Sequence, residues 1–322
     1  MNAENKYVRF DWAVKRMLRD KANFGVLEGL LTVLLGETVH IVELLESEGN
    51  QQLPDDKFNR VDVKAKNDRG EIFIVEVQLT RELYYLERIL YGTAKTITEH
   101  IKLGNSYSEI KKVYSISIVY FDMGQGTDYL YHGRNVFKGV HTGDTLHINV
   151  KEDNTIRMKT PEEVFPEYYI IRVNQFNDMA KTPLEEWVDY LKNGHIKDDT
   201  TAPGLSEAKE KLQYMMLSNA DRYAYDEHLN AIMIQNDVLS TAKLEGLAEG
   251  RAEGLVKGRA EGRAEGRAEG RAEGRAEGRA EGEAIGAQKK ATENARKMKT
   301  KGYPVADIVE ITGLSPEEVE KL

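Results

Sequence analysis

A short turn between two apolar segments constrains the fold of this chain most. Residues 59–80 read NRVDVKAKNDRGEIFIVEVQLT, and the Asp-Arg-Gly tripeptide at 68–70 has the pattern of a three-residue hairpin loop, in which two type I turn residues precede a left-handed glycine. This loop places Asn67 opposite Glu71. The sequence therefore predicts two antiparallel strands whose pairing can be counted outward from the turn.

The predicted pairing brings two acidic side chains together. Counting outward pairs Asp62 with Glu76 and Arg60 with Gln78. Because side chains alternate between the faces of a strand, these polar residues share one face with Lys64. The apolar residues predicted for the opposite face are Val61, Val63, Phe73, Val75 and Val77.

Two interpretations of the acidic pair follow from the residues alone. Opposed Cβ atoms lie about 4.5–5.5 Å apart, where two carboxylates repel unless a cation neutralises them. Mg²⁺ suits such a pair, because it takes one or two carboxylates and fills its shell with water and substrate phosphate. The alternative is that Glu76 and Gln78 line the solvated face of an edge strand, although the run at 72–79 is apolar enough for a strand buried on both faces.

The remaining periodicities predict an α/β domain with the order strand, strand, helix, strand around the hairpin. Helices are predicted in 7–35 (two, the second capped by Asn23), 81–103, 183–191 and 205–218. Strands are predicted at 38–46, 58–66, 71–79, 113–121, 128–150 and 168–176, the last two as a sheet extension. The apolar stripe of the 81–103 helix is predicted to comprise Leu83, Leu86, Leu90, Ala94, Ile97 and Ile101.

The hairpin and its flanks resemble the PD-(D/E)XK nuclease superfamily and, more narrowly, the Rpn family of recombination-promoting nucleases, also described as PD-(D/E)XK nuclease family transposases. The matching segments are DWAVKRML at 11–18, RVDV at 60–63, IVEVQ at 74–78 and RILY at 88–91. The resemblance covers roughly residues 7–175. It implies a restriction-endonuclease-like core, in which helices flank a mixed central sheet.

The resemblance also implies a metal site. Asp62, Glu76 and the carbonyl of Val77 would bind Mg²⁺, with Mn²⁺ as a substitute, and Gln78 stands where many relatives have lysine. An amide can donate and accept hydrogen bonds but cannot act as a general base. We therefore expect metal-centred phosphodiester hydrolysis in which Gln78 positions the nucleophile. Lys64 either supplies the missing positive charge or is an ion-pair partner.

Candidate DNA contacts are residues on the helices near this site. Arg88 and Tyr91 occupy a basic, tyrosine-bearing helix face that suits phosphate contacts and base stacking. Lys64 and Lys15 are further candidates. Asp11, one turn before Lys15, is a candidate additional acidic ligand. Glu28 competes with it, and a plain surface charge is the alternative for each.

The composition and the net charge limit the kinds of site and partner that this chain can have. The absence of cysteine excludes disulfides and thiolate zinc sites, and the sequence holds no phosphate-binding glycine loop for a nucleotide cofactor. No apolar run suits a membrane span, so we expect a cytoplasmic protein without a membrane partner. The net charge of −9 means that DNA binding would need a local basic patch.

The C-terminal part is a repeat. Arg-Ala-Glu-Gly recurs six times without interruption from 259 to 282. A glycine in every turn and like charges four residues apart weaken a helix, so a fraying helical spacer and a flexible linker both remain open. The predicted divisions are a nuclease domain at 1–180, a helical extension at 181–242, the spacer at 243–284 and a helix-turn-helix-like segment at 285–322, in which Ser315 caps a helix that begins with Pro316.

Three functions are compatible with the sequence. The first is a Mg²⁺-dependent DNA endonuclease that promotes recombination or acts on mobile or foreign DNA. The second is a catalytically weak or inactive relative that binds DNA or a partner and forms a homo-oligomer through its tail, which Gln78 and the acidic charge favour. The third, transposition, rests on the family description alone.

Overall fold

The computed structural model describes residues 7–18, 20–47, 61–101, 104–152 and 155–322, which fall into two compact units, Met1–Ala231 and Ile232–Leu322. The helices are α1 (Phe10–Arg16), α2 (Phe24–Leu35), α3 (Tyr85–Glu99), α4 (Pro183–Asn193), α5 (Leu205–Lys211), α6 (Asn219–Thr300), α7 (Val305–Thr312) and α8 (Pro316–Glu320). The strands are β1 (Ile41–Leu45), β2 (Val63–Asn67), β3 (Ile72–Gln78), β4 (Val113–Val119), β5 (Leu130–Gly133), β6 (Ile148–Glu152), β7 (Thr155–Lys159) and β8 (Glu167–Arg172).

A mixed six-stranded sheet forms the centre of the first unit, in the order β1-β2-β3-β4-β8-β5. The three central strands β3, β4 and β8 are parallel, and the outer pairs are antiparallel. Helix α3 connects β3 to β4, the crossover that a parallel pair requires. This arrangement confirms the expected α/β core with flanking helices.

The hairpin register is the one counted from the turn. Lys64 pairs with Ile74, and the amide of Asn67 donates to the carbonyl of Glu71 at 3.1 Å. Gly70 adopts φ +79°, a left-handed conformation that a side chain would strain. The predicted pairing of Arg60 lies outside the described residues.

The prediction for Val61 was wrong. Strand β2 begins only at Val63, and Val61 packs with Ile72 and Ile74 on the face of the sheet opposite Val63. Side chains alternate regularly between the two faces only where a strand is paired. Val61 and Asp62 precede the paired part of β2, so the alternation did not determine their faces.

The buried face of helix α3 is not the apolar stripe that the sequence predicted. Leu83, Leu86 and Leu90 are exposed by 78, 55 and 60 percent of their surface. The buried positions are Tyr85, Ile89, Gly92, Thr93 and Thr96. Small and β-branched side chains let the helix lie close to the strands, so packing distance rather than apolar count decided which face is buried.

The predicted sheet extension is present. Strands β8 and β5, from the segments predicted at 168–176 and 128–150, extend the sheet beyond β4, and β8 lies between β4 and β5. Strands β6 and β7 form a separate two-stranded sheet. Asn23 precedes α2 as predicted, but its side chain makes no cap and donates to the carbonyl of Met17 at 2.8 Å.

The second unit is helical. Helix α6 runs unbroken through the Arg-Ala-Glu-Gly repeat, so of the two alternatives the helical spacer is the one observed. At the C-terminus, Ser315 and Glu318 form the predicted capping box with Pro316 at the first helical position. Ala295, Ile308, Leu314 and Val319 form a small core there. In the part of the chain that the structure describes, no helix is long and apolar enough to cross a membrane.

Candidate active site

The two acidic residues meet at one end of the central strands. Glu76 is the fifth residue of β3 and is buried, with 6 percent of its surface exposed. Asp62 directly precedes β2, and its Oδ2 accepts a hydrogen bond of 2.7 Å from the amide of Val77. This bond fixes the Asp62 carboxylate beside the residue that follows Glu76.

The carbonyl of Val77 lies on the same side of β3 as Asp62. The Gln78 carbonyl points toward β4, because it accepts from the amide of Tyr120 at 2.9 Å. Successive peptide groups of a strand point in opposite directions, and the N–H and C=O of one residue point the same way. The Val77 carbonyl therefore faces the Asp62 side, together with the amide that Asp62 binds.

Two cationic side chains neutralise the carboxylates. The Nζ of Lys15, on α1, lies 3.8 Å from Oδ1 of Asp62. Nη2 of Arg88, on α3, donates to Oε1 of Glu76, and its Nη1 donates to Oε2 of Glu82 at 2.7 Å. Among the described residues, the site thus holds three acidic side chains and two basic ones, on three different parts of the chain.

The environment of Glu76 disfavours its ionised form. Burial raises the pKa of Glu76 to about 7, against the lowering effect of Arg88 and Lys15. The negative charges of Asp62 and Glu82 raise the pKa further. Additional positive charge beside Glu76 would therefore stabilise its ionised carboxylate.

Two hydroxyl groups lie buried near Glu76. Ser117 of β4 stands next to Glu76 in the parallel register, and Tyr85 begins α3 above the sheet. The Tyr85 hydroxyl is within hydrogen-bonding reach of Ser117, and within the described ranges neither hydroxyl has another partner. Burial raises the pKa of Tyr85, as does the negative charge of Glu76. The hydroxyl of Tyr85 is therefore a neutral group at the floor of the site.

Gln78 is half-buried at the end of β3. Its Nε2 donates to the carbonyl of Thr80 at 3.2 Å and to the hydroxyl of Thr80 at 3.4 Å. The two contacts hold the amide by its nitrogen. The amide oxygen is the part of the group that could accept a hydrogen bond from water.

Three predicted residues have other partners. Lys64 is only 5 percent exposed and pairs with Glu99 of α3 at 2.8 Å, which is the ion-pair interpretation rather than a DNA contact. Asp11 is fully buried between Arg9 at 2.9 Å and His228 at 2.7 Å, so both carboxylate oxygens are bonded.

Glu28 accepts from the backbone of β1, at 2.6 Å from the amide of Ile41. Asp11 and Glu28 thus have structural partners, and we leave both out of the proposed metal site. Arg88 and Tyr91, one turn apart on α3, remain partly exposed as the DNA-contact prediction requires.

The donor set fits a divalent cation in part. Among the residues described, no group of three or more His, Asp or Glu side chains is arranged to hold a metal ion. Mg²⁺ does not need such a group, since one or two carboxylates suffice when water and phosphate complete the shell. Asp62 and Glu76 have carboxylate oxygens and Val77 has a carbonyl oxygen that could serve as donors, and Asp62 is bonded to the amide of Val77.

Sequence reasoning missed Glu82 and Ser117. No periodicity marks Glu82, which lies in the loop before α3 and is identified only by its contact with Arg88. Ser117 could have been found by extending the register to β4, since it pairs with Glu76 there. Long-range strand order was not determined by the hairpin, so this neighbour stayed hidden.

Comparison with known proteins relates the chain to a nuclease family. A family model described as PD-(D/E)XK nuclease family transposase matches residues 8–242. No curated protein and no solved structure matches the chain.

Proposed function

The chain belongs to the PD-(D/E)XK nuclease family transposases, and from this premise we propose that it is a divalent metal-dependent DNA endonuclease whose reaction is hydrolysis of phosphodiester bonds. The observation that carries the proposal is the convergence of Asp62 and Glu76, from paired segments of one hairpin, on a site with a shortage of positive charge. Nucleases of this family type generally use divalent metals.

In this proposal Asp62, Glu76 and the Val77 carbonyl hold the cation. When bound, Mg²⁺ or Mn²⁺ would polarise the phosphate and lower the pKa of a water molecule. Gln78 accepts a hydrogen bond from the attacking water through its amide oxygen, because its nitrogen is committed to Thr80. Lys15 lies within reach of the Asp62 carboxylate and offers a positive charge to the DNA backbone.

DNA is the proposed partner, contacted by Arg88, Tyr91 and Lys15 around the carboxylates. These residues form a local basic rim on a chain with net charge −9, so long-range attraction contributes little and close phosphate contacts must supply the affinity. A cytoplasmic location, a role in recombination or against mobile DNA, and self-association through the tail belong to the same proposal.

A second candidate is a protein of this fold that binds DNA without cutting it. The observation that favours it is Gln78, a neutral amide whose nitrogen is bonded to Thr80. A lysine at that position would offset charge on the scissile phosphate, which an amide does far less. On this alternative the protein retains DNA affinity in the absence of cleavage.

Plasmid nicking tests the proposal. Wild type should nick supercoiled DNA with Mg²⁺ or Mn²⁺ and not with EDTA, and Asp62→Asn should reduce the rate at least about a hundredfold. Asp68→Asn, in the exposed hairpin turn, is the matched control and should cut like wild type. Equal nicking by Asp62→Asn would contradict the assignment, and DNA binding without nicking by wild type would favour the second candidate.

A further inference from the structure

Arg88 joins two carboxylates that differ in burial. Its Nη2 binds Glu76, whose side chain is 8 percent exposed, and its Nη1 binds Glu82, whose side chain is 38 percent exposed. The guanidinium is planar and forked, so it can keep one partner while the other side turns to a new acceptor. Arg88 thus connects the interior of the site to its rim.

The carboxylate that Arg88 occupies is also a proposed metal ligand. Arg88 takes Oε1 of Glu76, and its positive charge opposes the rise in the pKa of that carboxyl. A divalent cation at Asp62 and Glu76 would also stabilise the ionised form of Glu76, and it carries twice the charge of Arg88. Arg88 and the metal therefore compete for Glu76.

The local charge balance agrees with an exchange. Among the described residues, Asp62, Glu76 and Glu82 face Lys15 and Arg88, which leaves one net negative charge when all five are ionised. A divalent cation changes this to one net positive charge. That charge equals and opposes the single charge of a phosphodiester, so a metal and a phosphate together would balance the charges of these five side chains.

We propose that Arg88 is a placeholder cation, displaced from Glu76 by the metal and retained by Glu82 at the rim, where its released Nη2 binds a phosphate of the DNA. The inference rests on the proposed function. Glu82 is then a positioning residue, since it acts through Arg88 and holds the guanidinium where the phosphate will lie. Phosphate binding by Arg88 becomes dependent on metal binding.

Metal affinity without DNA distinguishes this exchange from a permanent Arg88 clamp on Glu76. Titration of the full chain with Mn²⁺ in a calorimeter would compare wild type with Arg88→Gln and Glu82→Gln. Arg88→Gln removes the competitor, so Mn²⁺ should bind about tenfold more tightly, equivalent to about 1.4 kcal/mol. Glu82→Gln leaves Glu76 as the principal partner of Arg88, so Mn²⁺ should bind several-fold more weakly.

Opposite shifts from the two variants are the signature of the proposal. Glu87→Gln, an exposed glutamate on the same helix, controls for general loss of negative charge and should leave the affinity unchanged. Weaker or equal Mn²⁺ binding by Arg88→Gln, with a native circular dichroism spectrum, would overturn the inference. Arg88→Lys checks this result, because a single ammonium should compete less and tighten binding by a smaller factor.

Failure of the proposed function would look different. If neither wild type nor Arg88→Gln binds Mn²⁺, the metal site itself is contradicted and the inference falls with it. If wild type binds Mn²⁺ and the variants do not shift in opposite directions, the metal site stands and only the exchange is refuted.

Discussion

Asp62 and Glu76 are held by different kinds of partner. We therefore expect the two carboxylates to respond differently when a cation binds. Asp62 is fixed by the backbone amide of Val77, a bond that needs no counter-ion and can persist when a cation binds. Glu76 is held by the side chain of Arg88, a partner that can move. In the proposed metal site, Asp62 would therefore be the preorganised ligand, and Glu76 would be the ligand whose surroundings respond.

The raised pKa of Glu76 predicts a pH dependence of stability. The ordinary pKa of 4.5 applies in the unfolded chain and about 7 in the folded protein, so between these values the folded state binds more protons. Without metal, the free energy of unfolding should therefore fall as the pH rises from about 4.5 to 7. Urea unfolding in EDTA at pH 5 and pH 8, for wild type and Glu76→Gln, measures this contribution. A wild type that loses no more stability than the variant would refute it.

The buried hydroxyl of Tyr85 predicts an unusual substitution. Tyr85→Phe removes a buried polar atom that interacts with Ser117 alone among the described residues, while it keeps the ring that packs against Phe121 at 5.7 Å. The variant should be as stable as wild type or more stable by about 1 kcal/mol. Thermal unfolding measures the effect. A loss of more than about 1 kcal/mol would mean that the hydroxyl makes a stronger hydrogen bond than this contact, for example to a buried water.

At the level of elements, the hairpin could be predicted and the helix face could not. Three residues of turn chemistry fix the register of β2 and β3, so Asp62 and Glu76 could be placed together before any tertiary contact was known. The buried face of α3 depends on how closely it approaches the sheet, and Thr93 and Thr96 are buried while Leu86 and Leu90 are not. Apolar periodicity carries no information about that distance.

Helix α2 offers a test of close packing with a control in the same helix. A Cβ at Gly29 would overlap the backbone of Pro203 and Gly204, whereas the atoms nearest to a Cβ at Gly25 belong to the side chain of Glu207. Gly29→Ala should destabilise the protein by about 2 kcal/mol or more, since backbone must move. Gly25→Ala should cost less, because the Glu207 side chain can turn away. Urea unfolding of both variants checks the order, and equal effects would contradict this packing.

At the level of the whole molecule, the long helix α6 contains residues that favour a helix, but its charges are spaced in a way that does not stabilise one. Arginine and glutamate in the repeat are two or six residues apart, so they cannot pair along the helix. Its ion pairs occur where the repeat is interrupted or absent, as at Lys257 with Glu261, Arg279 with Glu283 and Lys297 with Glu293. The sequence alone does not distinguish a helix from a flexible linker, because the helix-favouring residues and the unfavourable charge spacing nearly offset each other.

The glycines of the repeat should be replaceable. No neighbouring atom would meet a Cβ at Gly262, Gly266, Gly270 or Gly274. Replacing all four with alanine should stabilise the helix by roughly 1 kcal/mol per site and raise the temperature at which its circular dichroism signal at about 222 nm is lost. Lower helix content in the variant would contradict a helical repeat.

The most direct test of the account is the position of a bound metal. A crystal of the full chain grown with Mn²⁺ should show one anomalous peak at the end of β3, within roughly 2.0–2.3 Å of carboxylate oxygens from both Asp62 and Glu76. A peak bound by only one of them, or by neither, would contradict the claim that the two carboxylates share a single cation.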